Sequence, residues 1–208
     1  MCLFNIDSSS HHSNTTTIVG VTYDGGVILG STDTITQLTA NIFSCHCVLE
    51  AELSLEDARN FILDEEKSTM VTAETIGTML SVNNNKTINM LETGVIIGGA
   101  KRIYEISLGG IVTEKSNFGV GGYGVAYLNN LLEKEWQKGM KEEEAEELVL
   151  KILSSNISLG GVIGSCGIQT LLHPYDTLTI RQQELDLKHV IGERQCVRAR
   201  LSFSRQRQ

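Results

Sequence analysis

Thr16-Thr17-Ile18-Val19-Gly20-Val21-Thr22-Tyr23-Asp24-Gly25-Gly26-Val27-Ile28-Leu29-Gly30 decides the fold. Two β-rich runs flank an Asp-Gly turn, the strongest short-range signal for a β-hairpin. Neither run alternates apolar with polar residues. Both are nearly continuous in apolar or small side chains, which predicts a hairpin buried on both faces. Such a hairpin needs a further layer on each side of it, and the rest of the chain has to supply both.

The segments downstream have the required character. Ile42-Phe43-Ser44-Cys45 reads as another short strand. Ser54 can cap a helix with Asp57 three residues on, and Leu55, Ala58 and Ile62 give that helix an apolar face. A second helical stretch covers Thr72–Val82 and stops at Asn83-Asn84-Asn85. Gly94–Gly98, Ile103–Leu108, Ile111–Thr113 and Phe118–Val120 are short apolar runs separated by turn residues, which predicts an antiparallel meander. Leu128, Leu131, Leu132 and Trp136 then stripe a helix that Gly139 can end. Ala145, Leu148, Val149, Ile152 and Leu153 stripe the next, with Glu142, Glu143 and Glu144 in its first turn, where the helix dipole favours them. A strand over Gly160–Thr170 closes the series. Strands, two helices, strands, two helices and a strand predict a layered α+β domain: two stacked sheets with a helix pair on each outer face.

Composition bounds the function. In 208 residues, 41% are apolar and 20% charged, enough for one domain with a real core and too apolar for wholesale disorder. No apolar run approaches the roughly 18 residues of a membrane-spanning helix. A net charge of −8 makes the chain a poor general nucleic-acid binder. Arg181–Gln208 carries +4, so a basic end follows an acidic body; it reads as a solvated end or as a dock for an acidic partner. Cys2, Cys45, Cys47, Cys166 and Cys196 are odd in number and irregular in spacing, and Met1–Asn14 has neither a basic nor an apolar signal region. That pattern predicts free thiols in a reducing cytosolic or nuclear compartment. Cys45-His46-Cys47 is a poor metal motif, because on a strand His46 points away from the two thiols and no second ligand cluster accompanies them. Gly119-Val120-Gly121-Gly122-Tyr123-Gly124 lacks the strand–loop–helix setting and acidic residue of a dinucleotide loop, so its glycines read as turn residues.

The opening hairpin resembles that of proteasome β subunits, in which it begins at a threonine nucleophile. Collinear matches follow at Asn41–Cys45, Gly94–Gly99, Tyr104–Gly110, Gly119–Gly124, Gly139-Met140 and Gly160–Ile163, so the resemblance spans roughly residues 15–165. It is greatest to the caspase-like type. It implies the four-layer αββα sandwich of N-terminal nucleophile hydrolases, in agreement with the layer order above. It also implies peptide-bond hydrolysis by a chain-terminal threonine whose freed α-amine acts as base, tuned by a lysine and an aspartate, with backbone N–H groups holding the oxyanion and no metal or organic cofactor.

Carried over residue by residue, the resemblance puts Thr16 at the nucleophile position, reactive only once residues 1–15 are removed. Thr15 stands where the family usually has the glycine that a self-cleaving turn favours. Gly30-Ser31-Thr32-Asp33-Thr34 replaces a Gly-Ala-Asp-Ser-Arg-like sequence: Thr32 takes the acidic position, and Asp33 is one residue late unless a bulge restores it. Gln37-Leu38-Thr39 matches a Lys-Leu-Thr-like segment, so Gln37 occupies the lysine position, in a region about a dozen residues shorter than the family's. Independently of any alignment, residues 1–58 contain no Lys or Arg. Cys47-Val48 replaces a Ser-Gly pair at the oxyanion, His46 falls at a basic residue that selects acidic side chains, Asn156 replaces an aspartate, and Tyr123 and Val125 replace serines.

The expected organisation is a propeptide-like leader (1–15), a proteasome β-type domain (16–175) and a divergent basic C-terminal tail (176–208). The expected function is that of a 20S core β subunit in protein degradation, structural and with impaired catalysis, cytoplasmic and nuclear. Its partners would be other α and β subunits in stacked rings and unfolded polypeptides, with no nucleic acid, membrane, metal or cofactor. The alternatives are a threonine endopeptidase cutting after acidic residues once the leader is removed, with Thr16 and Asp33 catalytic, and a truncated product that does not assemble.

Overall fold

The computed structural model describes residues 16–47, 55, 57–58, 68–83, 90–159, 166–172 and 181–185, the last two stretches and residues 157–158 as backbone only. The opening hairpin forms as expected: β1 (Thr17–Thr22) and β2 (Gly26–Ser31) pair antiparallel, with every residue of both strands buried. β3 (Ile35–Thr39), β4 (Ile42–His46), α1 (Thr69–Asn83), β5 (Thr93–Gly99), β6 (Arg102–Ser107), β7 (Val112–Lys115) and β8 (Phe118–Gly122) follow. Then come α2 (Val125–Glu135), α3 (Glu142–Ser158), β9 (Cys166–Leu172) and β10 (Arg181–Leu185). Helical backbone also occurs at Leu55, Asp57 and Ala58, while Ser54 and Ile62 lie outside the described residues.

The strands build two five-stranded antiparallel sheets, one ordered β10-β9-β2-β1-β8 and the other β3-β4-β5-β6-β7. Three layers of apolar side chains hold four layers of structure together. Ile18, Val27 and Leu29 of the hairpin meet Phe43, Cys45, Ile96 and Ile103 between the sheets. Val19, Val21 and Ile28, on the opposite face, meet Leu128, Leu132, Leu148, Val149, Ile152 and Leu153 of α2 and α3. Ile42, Val95, Ile97, Tyr104 and Ile106 of the second sheet meet Ala73, Ile76 and Leu80 of α1, together with Leu55 and Ala58. Alternation along β1 and β2 thus feeds two core layers, which is why the hairpin has no polar face. Each fully buried Ile or Leu contributes about 1.5–3 kcal/mol by leaving water. The expected αββα sandwich is the observed one.

Three details differ from the sequence expectation. The meander covers β5, β6 and β7 only, because β8 crosses to the other sheet and pairs with β1. Phe118 and Val120 decide this by packing with the α2–α3 layer, a contact that β7's partly exposed residues do not need. α2 ends at Glu135, with Trp136 extended and donating its N–H to Leu132 O; Gly139 is a separate positive-φ turn residue. β3 and β10 are additional strands, and β10 lies within the 176–208 segment. Residues 1–15 and most of that segment lie outside the described residues.

Candidate functional site

The open end of the hairpin brings three backbone segments together: Thr16-Thr17 entering β1, Ser31-Thr32-Asp33 leaving β2, and Gly121-Gly122-Tyr123 leaving β8. β1 lies between β2 and β8, so its first residues are gripped from both sides. On the β8 side, the Tyr123 N–H donates to Thr16 O at 2.9 Å and Thr17 Oγ1 donates to Tyr123 O at 2.9 Å. Gly122 has φ +86, and a Cβ there would lie 2.0 Å from Thr16 O, so only glycine allows this approach. On the β2 side, the Thr32 N–H donates to Thr17 O at 3.0 Å and Thr32 Oγ1 accepts the Thr17 N–H at 2.9 Å. Thr16 is 8% exposed and Thr32 1%.

Thr32, not Asp33, is therefore the side chain that the strand register aims at the Thr16-Thr17 backbone. Asp33 is partly exposed, its N–H donates to Ser31 Oγ at 3.0 Å, and its Oδ1 accepts from Thr34 Oγ1 at 3.3 Å. The one-residue displacement read from the sequence thus appears as a difference in facing. Among the described residues the register shifts lie further on, in β3 between Gln37 and Thr39 and in β5 between Thr93 and Val95. Gln37 is exposed on β3 opposite Phe43. Four cations among the described residues have partners away from this end: Arg102 pairs with Glu114, Lys115 with Glu105 and Lys151 with Glu135, while Lys101 Nζ donates to Asp24 O at the closed end of the hairpin. In this chain Thr16 follows Thr15, so its nitrogen is an amide and becomes a base only after cleavage.

The remaining sequence candidates surround this end unequally. Cys45 and Cys47 share the inter-sheet face as predicted, and His46 lies buried on the opposite face, paired with Val95. Burial raises the Cys45 thiol well above its ordinary range, with the Cys47 thiol adding to the effect. Burial, and then the negative Glu92, push Cys47 up to about 12. Cys47 Sγ donates to Thr93 O at 3.4 Å, and its N–H donates to Gly94 O at 3.1 Å, which commits one backbone donor near the expected oxyanion to the sheet. Val48 and Glu50 lie outside the described residues. Among the described residues no group of three or more His, Cys, Asp or Glu could hold a metal ion. Asn156 is fully buried on α3. Tyr123 Oη donates to Leu159 O at 2.9 Å, tying the turn after β8 to the end of α3. Sequence reasoning missed Glu105, whose Oε1 accepts the Val120 N–H at 2.9 Å; a single acid in the otherwise apolar run Ile103-Tyr104-Glu105-Ile106 was the available signal.

Comparison with known proteins gives one consistent answer. The family model described as "Proteasome subunit" matches residues 55–161. "Proteasome subunit beta type-6" of Arabidopsis thaliana is 34% identical, over 88% of this chain and 91% of its own length. "Proteasome subunit beta type-6" of Dictyostelium discoideum is 28% identical, over 73% and 83%. "Probable proteasome subunit beta type-1" of Encephalitozoon cuniculi is 26% identical, over 77% and 93%.

Proposed function

The chain belongs to the proteasome subunit family as a β-type member, and from that premise we propose that it serves the 20S core particle as a structural subunit with impaired catalysis. Membership implies assembly with other proteasome subunits. A place in one of the stacked rings, a contribution to the degradation of unfolded polypeptides, and a cytoplasmic and nuclear location are parts of the proposal.

The observation that carries the reading is the exchange of groups at the Thr16 end. A threonine hydroxyl attacks a carbonyl only if its proton is taken up and the negative charge that develops is stabilised. After removal of residues 1–15, the Thr16 amine would be the base. The neighbour that the register supplies is the neutral Thr32 hydroxyl, already accepting the Thr17 N–H. The position expected to hold an ammonium holds Gln37, exposed and uncharged. An amide can donate a hydrogen bond, but it cannot supply the field of a cation, and that field matters most where water is excluded. Removing one such group typically costs about 10²–10³ in rate, and groups that act as a unit do not add independently. The scaffold groups lie elsewhere and are intact: the apolar faces of the hairpin, α1, α2 and α3 are all buried.

Native mass analysis of the chain in its own cell extract tests the proposal. The expected result is co-migration with a core particle, with residues 1–15 retained by intact mass. Migration as a free monomer overturns the subunit role and favours a product that does not assemble. Incorporation of a chain beginning at Thr16 overturns impaired catalysis and favours the threonine endopeptidase.

A further inference from the structure

Glu105 sits on β6 between residues that are all buried, and strand alternation gives it the face of Ile103, which packs between the sheets. Its side chain is 15% exposed and reaches from one sheet to the other. Oε1 accepts the Val120 N–H of β8 at 2.9 Å, and Oε2 faces Lys115 Nζ of β7 at 3.1 Å. Gly119 makes room for it, since a Cβ there would lie 2.8 Å from Oε1.

Among the described strands β8 is at the edge of its sheet. The Asn117 carbonyl and the Tyr123 N–H bond to β1, so alternate residues turn their backbone groups toward β1 and Val120 turns its own outward. Glu105 therefore takes the place that a neighbouring strand would occupy at Val120. Two residues further on, Gly122 packs on Thr16 O, and the next residue, Tyr123, donates its N–H to it.

We infer that Glu105 is a positioning residue for the Thr16 end, acting through β8. The carboxylate, braced by Lys115, ties the edge strand to the opposite sheet and so fixes the turn that grips the Thr16 carbonyl. The inference rests on the reading of Thr16 as the remnant of the site, but its test needs neither assembly nor activity. A residue that merely stabilised the fold would protect all core amides alike, whereas a strap on β8 protects β8 and Tyr123 selectively.

Native-state hydrogen exchange on the full chain distinguishes the two. In Glu105→Ala, exchange at the Val120 and Tyr123 amides should accelerate about 10-fold or more, with Ile96 and Ile97 of β5 unchanged. Glu105→Gln keeps an oxygen for the Val120 N–H and should restore most of the Tyr123 protection. Unchanged exchange at Tyr123 in the alanine variant overturns the inference, as does a parallel loss at Ile96. If the alanine variant does not fold, Glu105→Gln combined with Lys115→Met decides: Tyr123 exchange about threefold faster with Ile96 unchanged supports the strap, and wild-type exchange contradicts it. Failure here leaves the subunit reading standing, and a chain that never enters a particle leaves the strap untouched.

Discussion

The middle of the opening hairpin and its open end lie within a few residues of each other, and they are built by different rules. In the middle, Val19, Ile28 and Leu29 are fully buried, and each is defined by the layer it fills. A similar apolar side chain would serve there nearly as well, because packing tolerates conservative exchange. At the open end, Thr16, Thr17, Thr32 and Gly122 are defined by single backbone contacts, and a shift of one residue changes which group is present. The two regions therefore tolerate different substitutions, so a scaffold can outlast changes that a site would not.

The comparison predicts a graded series. The largest effect belongs to the middle: Leu29→Ala should lower stability by about 2–5 kcal/mol, read from denaturant unfolding, since it opens a cavity between the sheets. A loss below about 1 kcal/mol would mean that the inter-sheet layer can collapse around the gap and that the middle is less constrained than proposed. Gly122→Val comes next, because any side chain meets Thr16 O and a β-branched residue is strained at φ +86. About 1–3 kcal/mol of destabilisation is expected, with faster exchange at the Tyr123 amide. Thr32→Val is nearly isosteric but leaves the buried Thr17 N–H without its acceptor, so it should cost about 1–3 kcal/mol. Asp33→Asn should change stability by no more than about 0.5 kcal/mol, as for ordinary surface substitutions. If the Asp33 variant proved the more damaging of the two, the assignment of Thr32 as the group facing the Thr16-Thr17 backbone would fail.

The smallest effect is chemical and concerns Cys47, at the border between the two regions. Its thiol is pushed up to about 12, so at neutral pH it is protonated and a poor nucleophile. Alkylation by iodoacetamide should be at least about 10-fold slower at pH 7.5 than for an unhindered thiol of ordinary pKa, and should speed up as pH rises toward the thiol's own range. Rapid labelling of Cys47 at neutral pH would show that this border is open to water.

The layers were legible in the sequence because continuous apolar runs and helical stripes report burial directly. Ala145, Leu148, Val149, Ile152 and Leu153 are all in the core, as their spacing predicts. β8 was assigned to the wrong sheet, with the meander, because consecutive short strands normally pair with each other and nothing local in Phe118–Gly122 shows which sheet will take it. The displacement of Asp33 followed from the resemblance, in which Thr32 takes the acidic position, and strand period then gave Thr32 and Asp33 opposite facings. The Glu105 strap was illegible for the opposite reason. It joins two sheets through the packing of β6 under β8, a relation that no sequence period encodes.

The proposal stands or falls on Thr16 being without the cationic companion that would make it reactive, on a scaffold that persists. Core particles containing this chain, exposed to an epoxyketone-type probe and analysed by intact mass, test it most directly. The expected result is a chain that keeps residues 1–15 and carries no adduct. A chain that begins at Thr16 and bears the probe on that residue would contradict it.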